Sequence, residues 1–172
     1  MYEIVLKSDN FSSLLPLDFI KQYLKVDGDD DDQIIAMHIN FAEIYAAKMC
    51  NISVSPKQYI IKTNTVNAQC TIPINMKPLI SVDGIIVDGK ALDASDYQVT
   101  EDSVVILNNA GKNYSITCTC GYSALTVVPS DLQTALLTHV SYRYENRSGD
   151  KTTLAPILVD SVYLSYRRCY VC

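Results

Sequence analysis

The sequence predicts an α+β fold, a small helical bundle that carries an inserted antiparallel β-rich segment. Two observations support this prediction. Apolar residues recur with a helical period up to about residue 51 and again after 129, and between these limits the period becomes that of strands. We therefore expect the 172 residues to form one domain, with a helical part over 14–51 and 129–168 and a β-rich insertion over 56–122.

Composition excludes several classes of protein. Hydrophobic residues make up 48% of the chain and charged residues 19%, which indicates a folded chain rather than a disordered one. No apolar run approaches the roughly 18 residues of a membrane helix, and no signal pattern opens the chain, so we expect a soluble protein that stays inside the cell at synthesis. The net charge of −5 disfavours a protein that grips DNA by neutralising its phosphates.

Two helices are predicted at the start, a short amphipathic one over 17–25 and a long one over 33–49. The long helix has two apolar stripes, formed by Ile34, Met37, Phe41 and Ile44 and by Ile35, Ile39, Ala42, Ala46 and Met49. Its polar remainder is the narrow line of Gln33, Asn40 and Glu43. This arc is wider than the roughly 100° that a surface helix needs, so we expect a second subunit to cover part of it. The candidate subunit interface consists of Met37, Phe41, Ile44 and Tyr45.

The turn between these helices is strongly acidic. Its carboxylates do not form a calcium-binding EF-hand loop, because the sixth position from Asp27 is Asp32 rather than Gly and the twelfth is His38 rather than Glu. The sequence fits better with a solvated turn whose last carboxylates interact favourably with the positive N-terminus of the following helix. Several subunits together would combine its carboxylates into a negative patch, formed by Asp29, Asp30, Asp31 and Asp32.

The middle of the chain predicts strands, because short runs rich in Val, Ile, Thr and Tyr alternate with turn residues. The predicted strands cover 59–66, 69–74, 79–87, 97–100, 103–107 and 114–121. Asp88-Gly89 is a tight-turn signal.

The last third returns to the helical period. Ser130 and Gln133 have the spacing of a capping box, and Leu132, Ala135, Leu136, His139 and Val140 share one face. This helix is predicted to end near 146–147. A final helix has Pro156 in its first turn and is predicted to carry one apolar stripe, formed by Leu158, Val162 and Tyr166.

Neither the cysteines nor the histidines predict a reactive site. The six cysteines are Cys50, Cys70, Cys118, Cys120, Cys169 and Cys172. Strand alternation places Cys118 and Cys120 in a core, and the C-x-x-C spacing at the end of the chain has no second pair to complete a zinc site. His38 and His139 lie mid-helix among apolar neighbours, and neither a nucleophile elbow nor a phosphate-binding glycine loop is present. We predict no catalytic residue, no cofactor and no bound metal.

In their order along the chain, these segments resemble the phage head–tail connector, or neck adaptor, proteins. The resemblance extends from about 14 to 168. It rests on the helix over 17–24 with its acidic turn, the helix over 34–49, and the motifs Cys120-Gly121-Tyr122, Val128-Pro129-Ser130-Asp131-Leu132-Gln133, Tyr144-Glu145-Asn146-Arg147 and Ser165-Tyr166-Arg167-Arg168. Two departures are Pro16, where a Ser or Thr cap is usual, and the cysteine-containing tail after Arg168.

The resemblance implies a structural protein of the virion neck, assembled in the cytoplasm of a bacterial host. Copies would form a ring of about a dozen beneath the portal protein, extend the DNA channel, and contact a head-closure or tail-completion protein. DNA would pass through without sequence-specific binding, and no membrane is involved. The implied portal contact consists of Tyr166, Arg167, Arg168 and Tyr170.

Two alternatives from other classes remain open at this point. One is a thiol- or zinc-dependent small enzyme, which would use Cys118, Cys120, Cys169 and Cys172. The other is a monomeric protein-binding module, which would use the strand-rich middle of the chain.

Overall fold

The computed structural model describes residues 2–8, 13–64, 70–101, 103–107, 111–146 and 154–168. The chain divides into two compact units. A strand-rich unit contains Met1–Phe11 and Pro56–Gly121, and a helical unit contains Ser12–Ser55 and Tyr122–Cys172. The predicted α+β class is confirmed.

The described part of the helical unit contains four α-helices. They are α1 (Leu17–Leu24), α2 (Asp32–Cys50), α3 (Ser130–Glu145) and α4 (Ile157–Ser165). α2 packs against each of the other three helices, and α3 packs against α1 and α4. Their shared core includes Ile20 of α1, Ala42 of α2, Leu136 of α3 and Tyr163 of α4. All of the residues in this core cluster belong to the helical unit.

The starts of α3 and α4 differ from the prediction. Pro129 and Pro156 occupy the N-cap positions in extended backbone, and neither helix has a side-chain cap. The predicted capping box is wrong, because the Gln133 side-chain amide donates to the carbonyls of Leu125 and Val128, both at 2.8 Å. These carbonyls belong to the turn before α3, so the amide serves that turn instead of the helix start.

The predicted apolar stripe of α4 packs only in part, because Val162 and Tyr166 lie partly buried against the helical core but Leu158 does not. Val159 and Tyr163 are buried, whereas Leu158 is 80% exposed. Apolar residues occur on nearly every side of this short helix, so the pattern alone could not select the face that packs.

The described strands form two antiparallel sheets. The larger has the order β1-β2-β8-β4-β5 and the smaller the order β3-β7-β6. The strands are β1 (Tyr2–Ser8), β2 (Lys57–Asn64), β3 (Cys70–Pro73), β4 (Leu79–Val87), β5 (Lys90–Ala91), β6 (Tyr97–Val99), β7 (Ser103–Ile106) and β8 (Asn113–Cys120). The sequence analysis did not predict β1 or β5.

The two sheets share one core. Ile61 lies opposite Ile116 in the ladder of the larger sheet, and Ile116 lies opposite Ile85. Val104 and Ile106 of the smaller sheet belong to the same cluster of buried residues. The predicted turn at Asp88-Gly89 joins β4 to β5, and both of its residues have positive φ, 48° and 83°.

Candidate functional site: the surfaces of the helical unit

Glu43 holds the chain segment before α1 against α2. It is buried, and its Oε1 accepts hydrogen bonds from Ser13 Oγ at 2.6 Å and from the backbone N–H of Leu14 at 2.8 Å. A buried carboxylate needs such donors. The polar line of α2 is therefore covered at Glu43 by Ser13, Leu14 and Leu15 of the segment before α1.

The four predicted interface residues fall into two groups. Met37 is 59% exposed and Ile44 is 39% exposed, so both contribute apolar surface that the helical core does not cover. Phe41 and Tyr45 are partly buried, and their rings stack with centroids 6.0 Å apart. They also meet the His139 ring edge-on, at 5.8 Å from Phe41 and 5.0 Å from Tyr45. Phe41 and Tyr45 thus pack inside the helical unit and also form part of its surface.

His139 is a structural residue of this aromatic cluster. Its Nε2 lies 3.1 Å from the carbonyl oxygen of Leu154, and its Nδ1 lies 3.2 Å from the hydroxyl of Tyr163. Because a carbonyl only accepts, Nε2 carries the proton and Nδ1 accepts from the tyrosine hydroxyl. Burial lowers the pKa of His139 below its ordinary 6.5, which favours this neutral form.

Further contacts connect the cluster to α4 and α3. The Tyr45 hydroxyl donates to Asp160 Oδ1 of α4 at 3.0 Å. The guanidinium of Arg143 on α3 lies 4.5 Å from the centre of the Phe41 ring, a cation–π arrangement. The side chains of α2, α3 and α4 therefore hold one another in place around Phe41 and Tyr45.

An open apolar groove lies beside the cluster, with a volume of about 370 Å³. This groove, called the α2 groove below, is lined by Phe41, Ile44, Tyr45, Lys48, Met49 and Leu154. Three residues after Leu154, Ile157 at the start of α4 is 79% exposed, which adds another exposed apolar side chain to the helical unit. Sequence reasoning missed this exposure, although the apolar residues on all sides of α4 were a signal for it.

The four aspartates of the acidic turn have different environments. Lys21 Nζ lies 2.8 Å from Asp29 Oδ1 and 2.7 Å from Asp32 Oδ1, and the hydrogen bond from Lys21 lowers the pKa of Asp29. Asp31 accepts a hydrogen bond from the Tyr144 hydroxyl, whereas Asp30 is exposed. The turn is therefore less negative than four solvated carboxylates would be.

The structure describes three of the four predicted portal-contact residues. The Tyr166 hydroxyl donates to Asp131 at 2.5 Å, and Arg167 and Arg168 are exposed. The backbone N–H of Arg168 donates to the carbonyl of Cys50 at 2.9 Å, so these cations lie at the end of α2. Tyr170 lies outside the described residues.

The cysteines that an enzyme would use are placed as follows. Cys118 and Cys120 are buried in the strand-rich core with their sulfurs 3.8 Å apart, and Cys169 and Cys172 fall outside the described residues. Burial raises the pKa of Cys50 to about 12.

Across the described ranges no three His, Cys, Asp or Glu side chains are grouped to hold a metal ion. No described helix has the length and apolarity to cross a bilayer.

Comparison with solved structures assigns the fold to the class found in the necks of phage-like particles. No protein-family model matches the sequence, and neither does any sequence of a characterised protein. One similar structure is a chain from the neck of an empty gene transfer agent (GTA) particle computed with sixfold symmetry. The match covers 99% of this chain and 97% of that chain, with 14% identity and a TM-score of 0.76.

Two further structures agree. A chain from the virion of a native GTA particle matches 98% of this chain and 97% of its own length at 15% identity, with a TM-score of 0.73. A chain from a native GTA neck computed with twelvefold symmetry matches 100% of this chain and 97% of its own length at 14% identity, with a TM-score of 0.71. The fold implied by the resemblance to neck adaptors is therefore confirmed.

Proposed function

We propose that this protein is a structural component of the neck of a tailed phage, prophage or phage-like particle. In this proposal it is a head–tail adaptor that binds under the portal as a ring and extends the DNA channel toward the tail. The observation that supports it is the match of nearly the whole chain, on both sides of the comparison, to chains from GTA necks. Both units of the fold are included, so the proposal treats them as one connector domain.

The proposed ring contains about a dozen copies. The symmetries of the similar necks, sixfold and twelvefold, are consistent with that number. The exposed apolar side chains of the helical unit, such as Met37, Ile44 and Ile157, offer surface for contacts between copies. A ring of this kind needs no catalytic residue, and we propose that the protein is not an enzyme.

The proposed partners are the portal protein on one side and a head-closure or tail-completion protein on the other. Arg167 and Arg168 are candidates for the portal contact because both are exposed at one end of the helical unit. Asp30 and its neighbours are candidates for the channel side, where negative charge would repel phosphates and let DNA slide. The proposed location is the virion neck, after assembly in the bacterial cytoplasm.

The test is assembly on purified portal. We expect the chain to form a stable complex with the portal ring at a fixed stoichiometry of about a dozen copies, measured by native mass spectrometry and electron microscopy. The R167E/R168E variant should weaken this complex, whereas K62E, a charge reversal at an exposed position of β2, should not. If the folded wild type never binds portal, the adaptor function is wrong.

A further inference from the structure

Besides the α2 groove, the helical unit has a second exposed apolar feature. Phe19 and Tyr23 of α1 are 41% and 46% exposed. They are four residues apart, so they project side by side from one face of the helix. This pair of aromatic rings, called the α1 pair below, is of the kind that anchors protein interfaces.

The segment that leads into α1 and the α2 groove lie on opposite flanks of α2. Glu43 binds the segment that leads into α1, and Tyr45 binds Asp160 of α4. Glu43 and Tyr45 are two positions apart in α2 and so are separated by about 200° around its axis, which points their side chains in nearly opposite directions. The chain therefore enters α1, which carries the exposed α1 pair, from the Glu43 side of α2, whereas the α2 groove lies on the Tyr45 side.

The two features are also complementary in chemistry. The groove is lined by aromatic and aliphatic side chains, and its volume of about 370 Å³ is of the size that holds large apolar groups. The exposed Lys48 lies at the groove, and the exposed Asp18 lies next to Phe19. Asp18 and Lys48 therefore carry opposite charges beside the α1 pair and beside the α2 groove.

We propose that Phe19 and Tyr23 of one copy insert into the α2 groove of the next copy, with Asp18 facing Lys48 across the contact. The proposal rests on the proposed function, since it names the contact that builds the neck ring. A contact between two different surfaces of one chain is heterologous, and its repetition gives a closed ring when the rotation between neighbouring copies divides a full turn, as in the proposed neck ring. The occupant is a second copy because a single chain carries both complementary halves.

The first experiment is photo-crosslinking in the assembled state. Tyr23 is replaced by p-benzoylphenylalanine, and an equimolar mixture of ¹⁵N-labelled and unlabelled full-length chains is assembled on purified portal. Illumination should yield mixed-isotope peptides that join position 23 to residues 41–49 or 154 of another copy. The same photoreactive residue at Lys62, in β2, should give no crosslink to the groove.

The second experiment exchanges the facing charges. D18K alone and K48D alone should each weaken assembly, by roughly twofold to fivefold for each contact of an exposed ion pair, and D18K/K48D together should restore it. Native mass spectrometry gives the assembled fraction, and circular dichroism checks that every variant folds.

The outcomes separate this inference from the proposed function. A ring whose crosslinks from position 23 reach portal, or another surface of the neighbouring copy, overturns the inference and leaves the adaptor function intact. A double charge variant that assembles no better than either single variant excludes the Asp18 and Lys48 pairing. A folded wild type that never assembles on portal overturns both.

Discussion

Three hydrogen bonds from tyrosine hydroxyls to aspartates join distant parts of the helical unit. The pairs are Tyr45 with Asp160, Tyr144 with Asp31, and Tyr166 with Asp131. Hydrogen bonds to an ionised carboxylate are stronger than those between neutral groups. They connect α2 to α4, α3 to the acidic turn before α2, and the end of α4 to the start of α3. Polar contacts therefore link α2, α3 and α4 in addition to their apolar packing.

At the residue scale, His139 predicts a pH-dependent stability. Its pKa in the folded protein is lowered by burial and by Arg143, against the opposing effects of the Leu154 carbonyl and Asp160. Between this lowered value and 6.5, the unfolded chain binds a proton that the folded chain does not. The free energy of unfolding should therefore fall as the pH drops below about 6.5, the unperturbed histidine value.

The matched variant is His139→Gln, which keeps a donor for Leu154 and an acceptor for Tyr163 but does not titrate in this range. Urea unfolding between about pH 7.5 and pH 5.5, around the unperturbed histidine value, should show a smaller loss of stability in the variant than in the wild type. Equal slopes in the two proteins would mean that His139 does not cause the dependence.

Sequence reasoning recognised the role of His139 but not that of Glu43. His139 lies among apolar neighbours in a helix, and its role as a satisfied core residue followed from that pattern. Glu43 is different, because its partners before α1 lie 28 to 30 residues away in the chain. No local pattern reveals such donors, so a carboxylate on a helix is assigned to the surface by default.

At the element scale, α4 provides a direct test of which face packs. Val159→Ala removes two buried methyl groups and should destabilise the protein by about 1–2 kcal/mol, from the transfer free energy plus a cavity contribution. Leu158→Ala should change stability by less than about 0.5 kcal/mol, as is usual for exposed positions. Urea unfolding of the two variants measures the difference, and a larger effect at Leu158 would mean that the other face packs.

The period of hydrophobic residues predicted α2, α3 and most of the strands close to their observed bounds. It succeeded where an element has one buried face, as in β8, whose alternate residues Ile116, Cys118 and Cys120 are buried. β1 was missed because its position depends on pairing with β2, as between Tyr2 and Thr63. The exposure of the apolar residues at the start of α4 was not predicted, because a helix with apolar residues on all sides does not show which face packs against the core.

At the scale of the whole molecule, the two units predict separable folding. The core cluster of the helical unit contains no residue from the strand-rich unit. The Tyr122 N–H donates to the Val54 carbonyl at 3.0 Å, so the two cut ends lie close together. A shortened chain of 12–55 joined to 122–172 through about three flexible residues, enough to span neighbouring ends, should stay soluble and helical.

Circular dichroism and urea unfolding check this expectation. The shortened chain should show a helical spectrum and one cooperative transition. A product without helical signal would mean that the helical unit depends on the strand-rich unit for its folding. The strand-rich unit cannot be removed by deleting 56–121 alone, because β1 comes from Met1–Phe11.

The function was approached from the sequence by a resemblance carried by ordered motifs, and the fold comparison agrees with it over the whole chain. The α2 groove was only half anticipated. Met37, Phe41, Ile44 and Tyr45 were expected on one apolar face, but Leu154 reaches that face from a segment more than 100 residues later. A surface made by two distant segments has no signature in either one.

The chain passes between its two units three times, after residues 11, 55 and 121, and this sets an order of events at the ribosome. Synthesis proceeds from the N-terminus, and domains generally fold as units when their last residues emerge. The strand-rich unit is complete once β8 has left the exit tunnel. α1 and α2 are made earlier, yet they must wait for α3 and α4 to cover them. The apolar sides of α1 and α2 are therefore exposed longest among the helices of the nascent chain, and a pause in translation after residue 121 would lengthen the time in which they can aggregate or meet a chaperone.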